Sequence, residues 1–471
     1  MLSFEYKAKE YYSDLVTDKA IFQQTGFAER EIPRYVAEWI IADYMKEEAN
    51  LTDDSKNNIS SFIQDFVPPI SQRGELKKRF LNYEVVNLLD FFSVSVNQNN
   101  DEKYLRIPYF NLNYASVIAK IVKDNENLLK HGVWGIGELF CVPSPEKKGE
   151  GQVWLLNFQP YRPNLVDLIA FIEYRKFFSI TEWIDLLISS MGISPVNNEE
   201  QQKLLLLSRL IPLLEPSMNL IELSSSKKSR PLTQDKFSQY TGLSKGAITS
   251  HETLFYNPKI NNPGILTRYD TIVIDEVKNI KDDGSEAFLS ILMTYLKTGK
   301  FLERQTETSA KTSLVFSAKI TLDQNNIPIN YDKSCLKEFP LFLQRTDLIE
   351  HFDGIIQDWH LPKTIQDTPS EYIGLRGDIF AELLHEFRRH RYYANCVKQN
   401  MRLSGSVEIS DQEAIAKMTT AFLKLLFPHQ QLTLAEFNRY CLQPAIELRQ
   451  TLRDELHKLD NNSPKIILAI K

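Results

Sequence analysis

The period of the apolar positions changes along the chain, and the changes divide it. In the first stretch Ile32, Val36, Trp39 and Ile40 recur at helical spacing around Pro33, and a second helix is predicted near 58–66. Alternation replaces this at 91–96 and again at 104–112, which predicts two strands on either side of a polar turn at 97–101. Gly132, Gly135 and Gly137 around Trp134 read as turn glycines, because no acidic-ended βαβ unit follows to make them a dinucleotide fingerprint. From Gln152 the period is helical. Leu165, Leu168, Ile169 and Ile172 share a face, and Ser179 with Glu182 forms a capping box ahead of a helix that Gly192 stops. The run 204–214 is apolar nearly all round, as a buried helix is.

Short buried strands then alternate with helices. Strands are predicted at 219–223, 271–275 and 314–316, with a helix at 285–297, a rhythm that builds a parallel sheet between helical layers. The last hundred residues are mostly helical: 378–392, 411–427 behind Ser410 as cap, and a capping box at Thr433 and Glu436, followed by an apolar strand at 465–470. The fold class is therefore α/β. An α+β N-terminal domain spans 1–155, a three-layer core of the P-loop type spans 156–370, and a helical lid-like region ending in a strand spans 371–471.

Composition narrows the function without naming it. A chain of 471 residues suggests two or three domains. Net charge is −6 with a pI near 5.9, so nucleic acid could be held only by local basic patches. Cys141, Cys335, Cys396 and Cys441 lack metal or disulfide spacing, no apolar run approaches membrane-spanning length, and the N-terminus is not a signal peptide; a cytoplasmic protein is expected.

Chemistry concentrates where two of the buried strands end. The first, 219–223, runs into Ser224, Ser225, Ser226, Lys227, Lys228, Ser229, Arg230 and Pro231, the place of a phosphate-binding loop. Such a loop needs glycines so that backbone amides reach phosphate, then Lys and Ser or Thr. Here Ser224 and Ser229 hold the glycine positions, Arg230 the lysine position and Pro231 the hydroxyl position. The second strand ends in Asp275-Glu276, the pattern of a Walker B strand with a magnesium-directed Asp and a water-polarising Glu. An exposed carboxylate pair is the plainer reading of the same residues. Arg73, Lys77, Lys78 and Arg79 around Gly74 could contact DNA phosphates, or simply form a solvated helix face. No aromatic-interleaved basic stripe of the kind that holds single strands stands out. Arg388, Arg389 and Arg391 close a helix and complement its dipole. His385 and His390, five apart, do not suit a metal site, and none is expected.

Taken in order, the segments WIDLLISSMGI, LLSRLIPLLEPSMNLIEL, LFYN at 254–257, TIVIDEV, GDIFAELLHEFRRH and FLKLLFPH resemble the BREX phage-defence Lon-like AAA+ family, BrxL, as does the IxxRGxL segment at 70–76. That resemblance implies a DNA-binding N-terminal domain, an AAA+ ATPase module, ring-shaped oligomers on DNA and a role in antiviral defence. It also exposes departures. The family's phosphate loop keeps its glycines and GKS; its sensor asparagine corresponds to Lys319, and its DR pair falls near Glu350 and His351. The family continues into a Lon domain beyond the position of Lys471, so no protease activity is expected. The resemblance thus implies a DNA-binding or scaffold subunit with a lost ATPase and no nucleotide cofactor, partnered by DNA, other defence subunits and copies of itself. The alternatives are an unorthodox ATPase that uses ATP and Mg2+ through Lys227, Lys228 or Arg230 and Asp275, and an accessory partner of a DNA-modifying or nicking enzyme in a methylation or phosphorothioation system.

Overall fold

The alternating stretch after Pro69 closes on itself. The computed structural model describes residues 1–45, 51–97, 101–143, 151–162, 166–225, 238–257, 262–281, 286–303, 306–329, 334–361, 369–405, 407–460 and 465–471. Among them, β1 (Val86–Asn97), β2 (Glu102–Ile107), β3 (Leu112–Val117), β4 (Val133–Pro143) and β5 (Gly151–Pro160) form a closed barrel in the order β1-β2-β3-β5-β4. The β3–β5 contact is parallel and the others, including the closure of β4 on β1, are antiparallel. This is the connectivity of an OB-type barrel.

Alternation sets its interior: Phe92, Val94, Leu105, Ile107, Ala115, Leu139 and Leu155 point inward and are buried. Gly135 and Gly137 lie within β4 rather than in a turn, because aromatic rings occupy the space their side chains would need. A Cβ on Gly135 would stand 2.5 Å from the Gln159 carbonyl oxygen and from the Phe158 ring, and one on Gly137 2.5 Å from the Phe92 ring. Only Gly132, at φ +83°, is the expected turn glycine. Outside the barrel, α1 (Arg34–Tyr44) and α2 (Asp53–Phe66) share a core through Val36, Ile40, Ile59 and Ile63. Leu76 and Phe80 seat α3 (Arg73–Leu81) on the barrel.

The compact unit containing this barrel is 20–164 with 256–263; the remainder, 1–19, 165–255 and 264–471, forms a second unit. The first 19 residues therefore belong with the second unit, and the regions expected as 156–370 and 371–471 share one body. Lys7 reaches Glu182 at 2.6 Å, at the capping box that opens α4 (Ile180–Ser190), and Val16–Asp18 pairs with Ile373–Leu375.

In this second unit β6 (Leu220–Ser225), β7 (Thr241–Lys245), β8 (Thr271–Asp275), β9 (Ser313–Ile320) and β10 (Gly354–Gln357) form a parallel sheet among the described residues, ordered β10-β6-β9-β8-β7. Both faces of the inner strands are covered, which is why β8 and β9 read as apolar runs, whereas β7, Thr-Gly-Leu-Ser-Lys at the edge, does not. Leu220 and Ile356 enter one core, while Ile221, Leu223, Ile272, Ile274, Leu314 and Phe316 enter the other with α5 (Glu286–Thr298). The chain is thus mixed α/β.

The C-terminal helices α6 (Gly377–Arg389), α7 (Ile409–Leu426) and α8 (Gln443–Leu459) are fastened to this sheet. Arg449 on α8 donates to the Phe352 carbonyl at 2.5 Å and to buried Asp411 at 2.6 Å. Two expectations are corrected here. Glu408, not Ser410, occupies the N-cap of α7, and no side chain caps it. The segment 465–470 is not a strand: apart from a bridge between Ile470 and Leu403, Gln450 satisfies its backbone, accepting from the Leu468 amide and donating to the Ile466 carbonyl. No helix among the described residues is long and apolar enough to cross a membrane.

Candidate functional site

Because β6 lies between β9 and β10, the connections on either side of it leave in opposite directions, and the carboxyl ends of β6 and β9 border the crevice where such sheets bind ligands. The register brings Lys319 of β9 opposite Ser224 of β6. Ser224 is fully buried, its hydroxyl donating to the Ala318 carbonyl at 3.4 Å. The next amide, Ser225 N–H, donates to Asp358 at 2.8 Å. Ser229 and Arg230, with Lys227, Lys228 and Pro231, lie outside the described residues.

Asp275 ends β8, and one of its oxygens accepts the Glu276 amide at 2.8 Å. Glu276 adopts the left-handed conformation, φ +53°, which a non-glycine residue rarely takes without a structural reason. The close neighbour is Gly246, where any side chain would run into the Glu276 carbonyl. The Glu276 carboxylate accepts from Asn279 at 3.1 Å and stands 3.8 Å from the Lys319 ammonium. The structure therefore gathers Ser224, Asp275, Glu276 and Lys319 at one end of the sheet.

Sequence reasoning missed the charges beneath them. Glu222, buried in the middle of β6, forms an ion pair with buried Arg209 at 2.8 Å, and Asp358 lies 3.9 Å from the same guanidinium. Burial pushes the Glu222 carboxyl up from its ordinary range, opposed by Arg209. The available signal was a lone Glu at a buried position of an apolar strand, which demands a partner.

In the barrel unit the basic cluster is split. Lys77 and Lys78 are exposed, and Arg79 pairs with Glu84 at 2.8 Å. Arg73 is half-buried instead, its guanidinium 5.5 Å from the Tyr109 ring centre, beside a cavity of about 410 Å³ that Asp90 and Trp134 also line. Asp90 accepts the amides of Phe91 and Tyr109, each at 2.8 Å. Of the two histidines, His385 contacts Asp270 at 2.5 Å and stacks on Tyr240 at 3.7 Å.

Residues 153–465 match the family model described as Lon-like protease BrxL-like, ATPase domain, and residues 10–140 match that of the BREX system Lon protease-like protein BrxL N-terminal. The chain belongs to the BrxL family. It is 25% identical over 434 residues to the Lon-like protease BrxL of Escherichia coli O9:H4 (strain HS), and 26% identical over 432 residues to that of Bacillus cereus (strain H3081.97). Each alignment covers 91% of this chain but only 61% and 63% of those relatives. The matched models are those of an ATPase domain and of a BREX-system N-terminal domain.

Proposed function

We propose that this chain is a DNA-binding scaffold subunit of a BREX-type defence system, built on an AAA+, three-layer P-loop-type core that no longer turns over ATP. The observation that carries the proposal is the OB-type barrel, since barrels of this connectivity bind oligonucleotides across their second and third strands. Lys77 and Lys78, exposed on the neighbouring helix, supply sequence-independent phosphate affinity. Other defence subunits and further copies of the chain are its proposed protein partners.

Loss of turnover draws support from the strand ends. A triphosphate needs open backbone amides at the strand end. Among the described residues the Ser225 amide is engaged by a carboxylate and Ser224 fills a glycine position. The Glu276 carboxylate accepts from Asn279 and lies beside Lys319, where the family's sensor position carries an asparagine. The described residues do not fit MgATP, and no catalytic step is assigned to it.

The test is a pair of measurements on the purified chain. Labelled duplex DNA should bind with an affinity that falls as salt rises, and Lys77→Glu with Lys78→Glu should weaken it uniformly across sequences and flatten the salt dependence. Phosphate release from MgATP should stay at background. Saturable hydrolysis abolished by Glu276→Gln would instead favour the second reading, an ATPase served by a rebuilt phosphate loop. The retained, half-exposed Asp275-Glu276 pair at the switch point is the observation on its side.

A further inference from the structure

The outer face of the barrel carries aromatic side chains that are scattered in sequence and adjacent in space. Tyr104 and Arg106 of β2 alternate with inward Leu105 and Ile107; Tyr114 and Ser116 of β3 flank inward Ala115; Trp154 of β5 precedes inward Leu155. Leu105 pairs with Ala115, setting Tyr104 beside Ser116, and Ser116 in turn pairs with Trp154. Across three neighbouring strands, two strand spacings or about 10 Å, Tyr104, Tyr114 and Trp154 therefore share one surface. Tyr104 and Tyr114 meet edge to face, ring centres 5.4 Å apart and planes at 81°. Tyr114 is 71% exposed, so its ring is open to a ligand on this surface.

The surroundings suit stacking. Beyond Tyr104 the next strand offers Ser95, and between the tyrosines and Trp154 stands Ser116, so the spacers around the rings are small and polar. Gln152 braces the edge, donating to the Tyr114 carbonyl at 2.8 Å and the Ser116 hydroxyl at 3.0 Å. Exposed Arg106 lies on the Tyr104 side of the strand, while exposed Lys103 alternates to the other side. The acidic neighbour, Glu102, is hydrogen-bonded by the Tyr104 hydroxyl, which fixes that ring. Rigid rings, small polar spacers and exposed cations are the ingredients of sequence-tolerant single-strand binding, in which each base stacks on a π-face while Lys and Arg follow the phosphates.

We propose that Tyr104, Tyr114 and Trp154 form a stacking platform for single-stranded nucleic acid, making the barrel a reader of unpaired strands and not of duplex alone. This deepens the DNA-binding reading above and rests on it. The platform takes bases of any identity, because every base presents a π-face to stack on.

The experiment compares a fluorescein-labelled oligothymidylate of about 15 nucleotides, near the upper site size of one such barrel, with a duplex of the same length, by anisotropy on the full chain. Tyr104→Ala and Tyr114→Ala should each weaken single-strand binding by roughly five- to a hundredfold, while the Phe variants at the same positions retain it. Trp154→Phe should keep the affinity but lose most of the quenching of intrinsic fluorescence caused by the oligonucleotide. Unchanged thermal melting of the Tyr114 variants separates lost stacking from lost folding. If the wild-type chain binds duplex while the alanine variants bind oligothymidylate as it does, the platform is wrong and the DNA-binding reading survives. Binding of neither nucleic acid by the wild-type chain would overturn both.

Discussion

Arg388 is 5% exposed and donates to the carbonyls of Pro212, Glu215, Asp270 and Lys311 at 2.5–2.8 Å and to the Ser313 hydroxyl at 3.2 Å. Spacing alone cast it, with Arg389 and Arg391, as a complement of the helix dipole, a description that fits exposed Arg389 and its Glu386 contact. What separates the two is the helix face, Arg388 following buried Leu384 at i+4 and Arg389 turning to the exposed side. Arg388→Met should leave those carbonyls and part of Asp270 without a donor and cost about 3–5 kcal/mol in urea unfolding, whereas Arg389→Met should leave the midpoint where it is. Asp90 gives the second prediction at this scale. Its burial outweighs the two amides it accepts and the nearby Arg106 and Arg73, pushing its carboxyl from 3.8 up to about 7. The folded state then holds a proton that the unfolded state releases, so the contribution of this group to stability is full below about pH 4 and is lost as pH rises through 7. A carboxyl carbon chemical-shift titration should place its midpoint near 7. A midpoint near 4 would mean that the amide bonds dominate.

Elements were legible wherever a local rule governs them. The capping boxes at Ser179 with Glu182 and at Thr433 with Glu436 form as spacing predicts, and the apolar run ending in Asp275 is a strand of the parallel sheet. Failures occur where a distant group takes over a local decision: Gln450 takes the backbone of 465–470 from a strand, and Phe92 and Phe158 turn Gly135 and Gly137 from turn residues into strand residues. Glycine inside a strand weakens it unless something must come close. In β4 the rings do come close, which predicts that Gly135→Ala overpacks the barrel. Its new methyl would meet the Gln159 carbonyl at 2.5 Å, and backbone cannot step aside as a side chain can. The expected loss is about 1–3 kcal/mol, read from the melting of the barrel unit; an unshifted melt would show that β4 tolerates a bend there.

At the scale of the molecule, chemistry carried by consecutive residues could be read from the sequence, and chemistry assembled across elements could not. Asp275 and Glu276 are adjacent, and the sequence singles them out as a candidate pair; Glu222, Arg209 and Asp358 come from separate segments, as do Tyr104, Tyr114 and Trp154. The same logic governs stability. The barrel unit buries cores around Phe92 and Leu105 and around Val36 and Ile63, while the sheet unit buries its own on both faces of β6. Units with separate cores need not unfold in one step. Differential scanning calorimetry of the intact chain should resolve two transitions. Gly135→Ala should lower only one of them and Arg388→Met only the other, because each substitution strikes a different core. A single transition displaced by both variants would show that the two units melt as one cooperative body, whatever the separation of their cores.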